Sequence, residues 1–156
     1  MRDIETTLEQ LLPQMQECLA CGGTFCFKPG GISMLPLIRP NRDVVEVAAL
    51  PERLKKYDLP LYRRKNGKFV LHRIVKVGQT YTCVGDGQFQ EECNIEHDQM
   101  LAIVTAIIRD GKRISVQNPV YRMYCRFWHY SRKIRHVIKW PRYYLRRVFT
   151  WLKFKH

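Results

Sequence analysis

The sequence has no acidic residue after Asp110. Residues 1–111 hold 14 Lys/Arg against 14 Asp/Glu and are neutral, whereas residues 112–156 hold the remaining 13 Lys/Arg and no acid. The whole formal charge of +13 therefore sits at one end of the chain. A segment of that kind seeks a polyanion, either a membrane face or a nucleic acid. The chain also has no apolar run approaching the roughly 18 residues of a spanning helix. Its start, "MRDIETTLEQLLPQMQECLA", lacks the basic opening and unbroken apolar stretch of a secretory signal. The expectation is a cytoplasmic protein, peripheral to a membrane at most. Internal repeats and low-complexity segments are absent too, which excludes solenoids and long linkers. The six cysteines fit no familiar metal-ligand spacing. Cys18 and Cys21 form one C-x-x-C, and Cys26, Cys93 and His97 are the residues that a zinc site would need to complete it. Free thiols, without disulfide, metal or cofactor, are expected.

What is present suits one domain with a tail. The chain has 156 residues, 46% of them hydrophobic. Residues 3–20 place Ile4, Leu8, Leu11, Leu12, Met15 and Leu19 at helical spacing, with Pro13 inside the pattern and "CGG" at 21–23 as the stop. From 24 to 117 the signals are those of strands: "TFCFK", "DVVEVAAL", "LPLYRR", "KFVLHRIVKV", "TYTCV", "MLAIVTAIIR" and "KRISV". Asn66-Gly67, Gly78-Gln79 and Asp110-Gly111 supply turns between them. The predicted fold is mainly β with flanking helices, a small coiled antiparallel sheet or open barrel. Its boundaries are an N-terminal helix over 1–23, a β domain over 24–117 and a basic, aromatic helical tail over 118–156. In the tail, Tyr121, Tyr124, Cys125, Trp128, Ile134 and Ile138 fall near one face, and Pro141 interrupts the pattern.

Three residues carry the chemistry. Ser33 stands in "KPGGISMLPLIRP", where the preceding glycines expose it and let another backbone lie alongside. It is either an ordinary turn serine or a nucleophile. A serine hydroxyl attacks a carbonyl only when a nearby base takes its proton, and that base works best when a third group orients it. His72 shares a strand face with Val70 and Ile74, which suits a core histidine as well as a general base. Lys76, on that face, lies about 13 Å further along, so the two cannot both serve one serine. Asp86 in "VGDGQ" is either a turn residue or the carboxylate that holds the histidine's tautomer.

Taken in order, "GISMLPLI", "YDLPLYR", "HRIVKV" and "VGDGQ" resemble the signal peptidase group of serine peptidases and the related self-cleaving peptidases of repressor type. Members carry Ser-Met-x-Pro, then Gly-Asp before a strand, then a base followed by Arg, then Gly-Asp-Asn. Ser33, Met34 and Pro36 match the first motif. Asp58 matches the second, with Tyr57 at the glycine. His72 and Arg73 match the third, and Gly85 and Asp86 the fourth, with Gly87 at the asparagine. The match spans about residues 24–108, and a histidine base is similar to the endoplasmic-reticulum and archaeal branch. The resemblance implies a serine endopeptidase acting on peptide or protein substrates, of the kind that removes signals or leaders. Ser33 is then the nucleophile, His72 the base and Asp86 its orienting acid, with Gly31, Met34 and Pro36 fixing and lining the substrate groove. Gly31 stands where many members have a serine that aids the oxyanion hole, and Glu92 where that branch has a second aspartate. A non-catalytic peptide-binding module of the same fold is the alternative. For the tail, residues 120–156, an anionic membrane surface ranks first, packing or a protein partner second, and nucleic acid third.

Overall fold

A computed structural model describes residues 8–132, 134 and 135. Among the described residues the architecture is mainly antiparallel β, with nine strands in two sheets, two α-helices and one 3-10 turn at His97–Gln99. In chain order the elements are α1 (Leu8–Ala20), β1 (Phe25–Phe27), β2 (Val44–Ala48), β3 (Pro60–Arg63), β4 (Phe69–Leu71), β5 (Arg73–Val77), β6 (Tyr81–Val84), β7 (Glu92–Ile95), β8 (Met100–Arg109), β9 (Lys112–Ser115) and α2 (Pro119–Tyr130). The first sheet runs β1-β2-β8-β3-β4, with β9 paired to the far half of β8; the second runs β5-β6-β7.

The long strand β8 organises the first sheet because it alternates cleanly. Met100, Ala102, Val104 and Ala106 are buried, and the residues between them are half-exposed. β2 alternates against it, with Val45 opposite Ile107 and Val47 opposite Val104. β3 does not alternate, because it lies between two apolar clusters. Leu61 joins the larger cluster with Met15, Met34, Ile38, Val45 and Leu71, while Tyr62 joins the smaller one with Ile74, Cys83 and Met100.

α1 packs Met15 and Leu19 into the larger cluster, and Gly22 ends it at φ +74°. α2 begins at Pro119, where Asn118 accepts the Val120 N–H at 2.8 Å as N-cap. It contributes Tyr121 and Cys125 to that cluster, so its first turns belong to the core rather than to an appended tail.

Two expectations change. The run 68–77 reads as one strand but is two. Residues 69–71 pair with β3 in the first sheet, and 73–77 pair with β6 in the second, so His72 sits at the crossing between sheets. Ile134 is 64% exposed and does not share the packed face of Tyr121 and Cys125. The sequence readings at Ile4, Ile138 and Pro141, and the rest of the tail, fall outside the described residues.

Candidate active site

Ser33 rides on a loop pinned at three points. At its base, the Asn41 N–H donates to the Pro29 carbonyl at 2.8 Å. At its far end, the buried Asp43 takes the Arg39 N–H at 2.8 Å and the Arg39 Nε at 2.9 Å. Burial pushes the Asp43 carboxyl upward, but Arg39 outweighs it and holds the group below the usual carboxylate range. In the middle, Met34 is 2% exposed and anchors the loop in the core. That burial corrects the expectation that Met34 lines a groove. Pro36 is exposed, and its carbonyl accepts from Arg109 Nη1 at 3.3 Å. Gly31 is open, with nothing within 4 Å of where a Cβ would stand.

The same loop lies directly on the turn after β6. The Gly87 N–H donates to the Ser33 carbonyl at 2.8 Å. A Cβ on Gly85 would stand 2.5 Å from the Ser33 carbonyl oxygen and 3.0 Å from the Ser33 Cβ. Close approach of backbone therefore requires glycine at 85 and favours it at 87, where a Cβ would stand 3.0 Å from the Leu35 carbonyl oxygen and asparagine was the expected motif residue. Gly85→Ala is expected to displace the Ser33 loop and to lower stability by about 1–3 kcal/mol, the usual cost of overpacking. Gly31→Ala, with free space around it, is expected to be neutral. Equal melting temperatures for the two variants would contradict this geometry.

Strand register brings His72 to the same place. Arg73 pairs with Val84 at the end of the β5–β6 ladder, and His72 and Gly85 are the residues next to that last pair along each strand. A Cβ on Gly85 would point at Ser33, so the serine loop lies against the turn that follows the strand paired with β5. Among the described residues the Ser33 amide and hydroxyl have no hydrogen-bond partner, and Ser33 and His72 share no hydrogen bond.

His72 is 1% exposed, and its Nδ1 lies 3.2 Å from Glu92 Oε1 and 3.3 Å from the Tyr62 hydroxyl. The Tyr62 hydroxyl donates to Glu92 Oε2 at 2.9 Å, as does Arg64 Nε, and Arg64 Nη2 meets Glu92 Oε1. Burial raises the Glu92 carboxyl, but Arg64 and Tyr62 outweigh it and hold it below its ordinary value. Burial pulls His72 from 6.5 down to about 4, with Glu92 opposing. At neutral pH a neutral imidazole thus lies beside a carboxylate; because the Tyr62 O–H is given to Glu92, its oxygen is left to accept Nδ1–H, which makes Nε2 the basic nitrogen. Burial pushes the nearby Cys83 thiol up to about 12, so it stays protonated and offers no rival nucleophile.

Asp86 is placed otherwise than expected. Both of its oxygens are taken by Arg73: Nε reaches Oδ1 and Nη2 reaches Oδ2, each at 2.8 Å, in a fork-to-fork pair with Arg73 2% and Asp86 5% exposed. The carboxylate beside the His72 Nδ1 is Glu92 instead, because the guanidinium next in sequence to the histidine claims the aspartate. Arg73 Nη1 also donates to the Tyr57 carbonyl and the Tyr121 hydroxyl, each at 3.1 Å. Trp128 Nε1 donates to the Asp86 carbonyl at 2.8 Å. The ion pair therefore ties the Gly85–Gly87 turn to α2. Tyr57 itself holds φ +78°, a conformation that costs a non-glycine residue about 1–3 kcal/mol. Its ring is clasped edge-on by His129 at 5.6 Å, which helps to offset that strain.

Sequence reasoning noted the position of Glu92 and the motif match of Arg73 but gave neither a role, and passed over Tyr62 and Arg64. The alternation of buried Tyr62 and exposed Arg63 beside Glu92 offers no local signal, since the cluster assembles across three strands. Among the described residues no group of His, Cys, Asp or Glu is arranged to hold a metal ion, and no helix is long and apolar enough to cross a membrane. Comparison with protein-family models, with curated proteins and with solved structures finds no match to this chain.

Proposed function

We propose that the chain is a serine endopeptidase acting on peptide or protein substrates, of signal-peptidase-like type. Ser33 is the nucleophile and His72 the base, while Glu92 fixes the histidine's tautomer. Asp86 and Arg73 brace the turn under the serine. One observation carries the reading: the Gly85–Gly87 turn packs on Ser33, and next to the adjoining end of the β5–β6 ladder stands a buried histidine whose Nδ1 lies 3.2 Å from a carboxylate. This supports reading Ser33, His72 and Glu92 as nucleophile, base and orienting group. Two departures from the family pattern support the resemblance, because each has a local reason. Tyr57 stands at the family's glycine with a glycine-like φ, and Gly87 gives the close approach described above.

In the reaction, His72 Nε2 accepts the Ser33 proton as Oγ attacks the scissile carbonyl. The free Ser33 N–H stabilises the oxyanion. The imidazolium, held by Glu92, then returns the proton to the leaving amine, and water repeats the cycle to release the acyl group. The open Gly30–Ile32 stretch lets an extended substrate backbone approach. In the resting protein the serine–histidine contact is not closed, as is common before substrate binds.

That same open contact favours the second reading, a peptide-binding module without turnover. One experiment separates them. Full-length wild type and Ser33→Ala are incubated with a proteome-derived peptide library, and new termini are read by mass spectrometry. New termini from wild type alone support the peptidase. Termini from both proteins remove Ser33 as nucleophile. Equal peptide retention by both, with no new termini, supports the binding module.

A further inference from the structure

α2 has two apolar faces, and only one is used. Tyr121 and Cys125 are buried against the core, with Trp128 half-buried over the Asp86 turn. On the opposite side, Val120, Met123, Phe127, Tyr130 and Ile134 are 66, 66, 67, 70 and 64% exposed. The spacing of three and four residues puts the four on α2 in one stripe, and Ile134 follows four residues past the helix end. A contiguous apolar stripe left in water marks an interaction surface rather than a scatter of single residues.

Beside this stripe lies a cationic cleft of 220 Å³ between the segment before β3 and α2. Lys55 and Lys56 stand on one wall, and Arg122 and Arg126 on the other. None of the four joins an ion pair among the described residues. Asp58 also lines the cleft, but its Oδ2 is turned back to accept the Lys55 N–H at 2.7 Å. Arg122 and Arg126 belong to both features, since they form the helix row next to the stripe. The apolar stripe and the cationic row thus share one edge of the molecule.

We infer that this edge docks on an anionic phospholipid surface, the stripe entering the headgroup–acyl boundary and the cleft receiving a lipid phosphate. The charge pattern selects this occupant. A second copy meeting this one through the same edge would set cationic row against cationic row. A nucleic acid would satisfy the cations yet leave Val120, Met123 and Ile134 in water, because aliphatic side chains offer bases no stacking partner. A bilayer of anionic lipid satisfies both halves at once.

The test is co-sedimentation of the full chain with vesicles of phosphatidylcholine alone, or of phosphatidylcholine mixed with phosphatidylglycerol. Wild type is expected to pellet with the mixed vesicles and to stay in solution with the neutral ones. Met123→Ser/Phe127→Ser is expected to weaken binding about tenfold or more through lost apolar burial. Arg122→Gln/Arg126→Gln and Lys55→Gln/Lys56→Gln are each expected to weaken it by a similar factor, about fivefold per cation. All substitutions are at the surface, and circular dichroism checks that the fold persists. Vesicle binding unchanged in the stripe variant, or no binding by wild type, overturns the inference. Light scattering that shows wild type self-associating through Phe127 assigns the stripe to a second copy instead. Duplex DNA that binds wild type tightly and loses affinity in the cation variants alone assigns the edge to nucleic acid. Each reading is repeated in Ser33→Ala protein, so failure of the peptidase reading leaves this test intact.

Discussion

Replacing His72 with glutamine is expected to lower kcat/KM for peptide cleavage by at least about a thousandfold, while the melting temperature at pH 7 moves by only a few degrees. Glu92 keeps its Tyr62 and Arg64 partners in that variant, but the glutamine amide cannot accept the serine proton. Glu92→Gln is expected to cost nearly as much in kcat. An amide in place of an orienting carboxylate favours the wrong imidazole tautomer, an effect worth about 10⁴ in arrangements of this kind. The pH profile supplies a readout that packing alone does not move. His72 must be neutral to act, and its folded pKa is about 4 rather than 6.5. The acid limb of kcat/KM is therefore expected near pH 4, with activity kept at pH 5.5, where an exposed histidine would already be charged. Stability follows the same group with the same sign. The unfolded chain binds the His72 proton near 6.5 and the folded chain only near 4, so folding is penalised progressively as pH falls between those values. The total is about 3 kcal/mol, and it should be absent in His72→Gln. An acid limb near 6.5 would mean that the imidazole is not the desolvated group seen here.

Much of this was legible in the residues, for definable reasons. β2 and β8 announce themselves because each has one face in the core and one near water, which imposes a period of two. β3 has no such period because both of its faces are covered, by Leu61 on one side and Tyr62 on the other. The division of 68–77 into two strands was hidden, since both halves are apolar and extended. What separates them is a change of partner strand, a tertiary event. Ser33 and His72 stood out because each is chemically odd in its setting. The choice of carboxylate did not, because it turns on competition in space. Asp86 and Glu92 both lie near the histidine, and Arg73, adjacent to it in sequence, binds the first and releases the second to it. In α2 the Asn-Pro start was readable from capping chemistry, yet the two apolar faces were merged into one. A stricter 3.6-residue count separates Ile134 from Tyr121 and places it with Phe127.

Asp86→Asn is expected to destabilise the protein by about 3–5 kcal/mol, the usual cost of stranding one member of a buried ion pair. For a domain of this size that is a fall of roughly 10 °C or more in melting temperature. The reason is Arg73, which is fully enclosed and keeps its charge whatever its neighbour becomes. An amide replaces one charged acceptor with a neutral one, and its NH₂ turns a donor toward a donor. Arg73→Met should cost as much, because it strands the aspartate and also leaves the Tyr57 carbonyl without its donor. The double variant Arg73→Met/Asp86→Leu should recover part of the loss, since no charge is then left buried. Recovery should stay incomplete, because Arg73 also donates to Tyr121 of α2. The comparison decides between two roles for the aspartate. If Asp86 oriented the catalytic histidine, Asp86→Asn would leave the melting temperature nearly unchanged and collapse kcat with a shifted acid limb. If it braces the turn, the variant melts early, yet the fraction that remains folded in the cold cleaves with the wild-type pH profile.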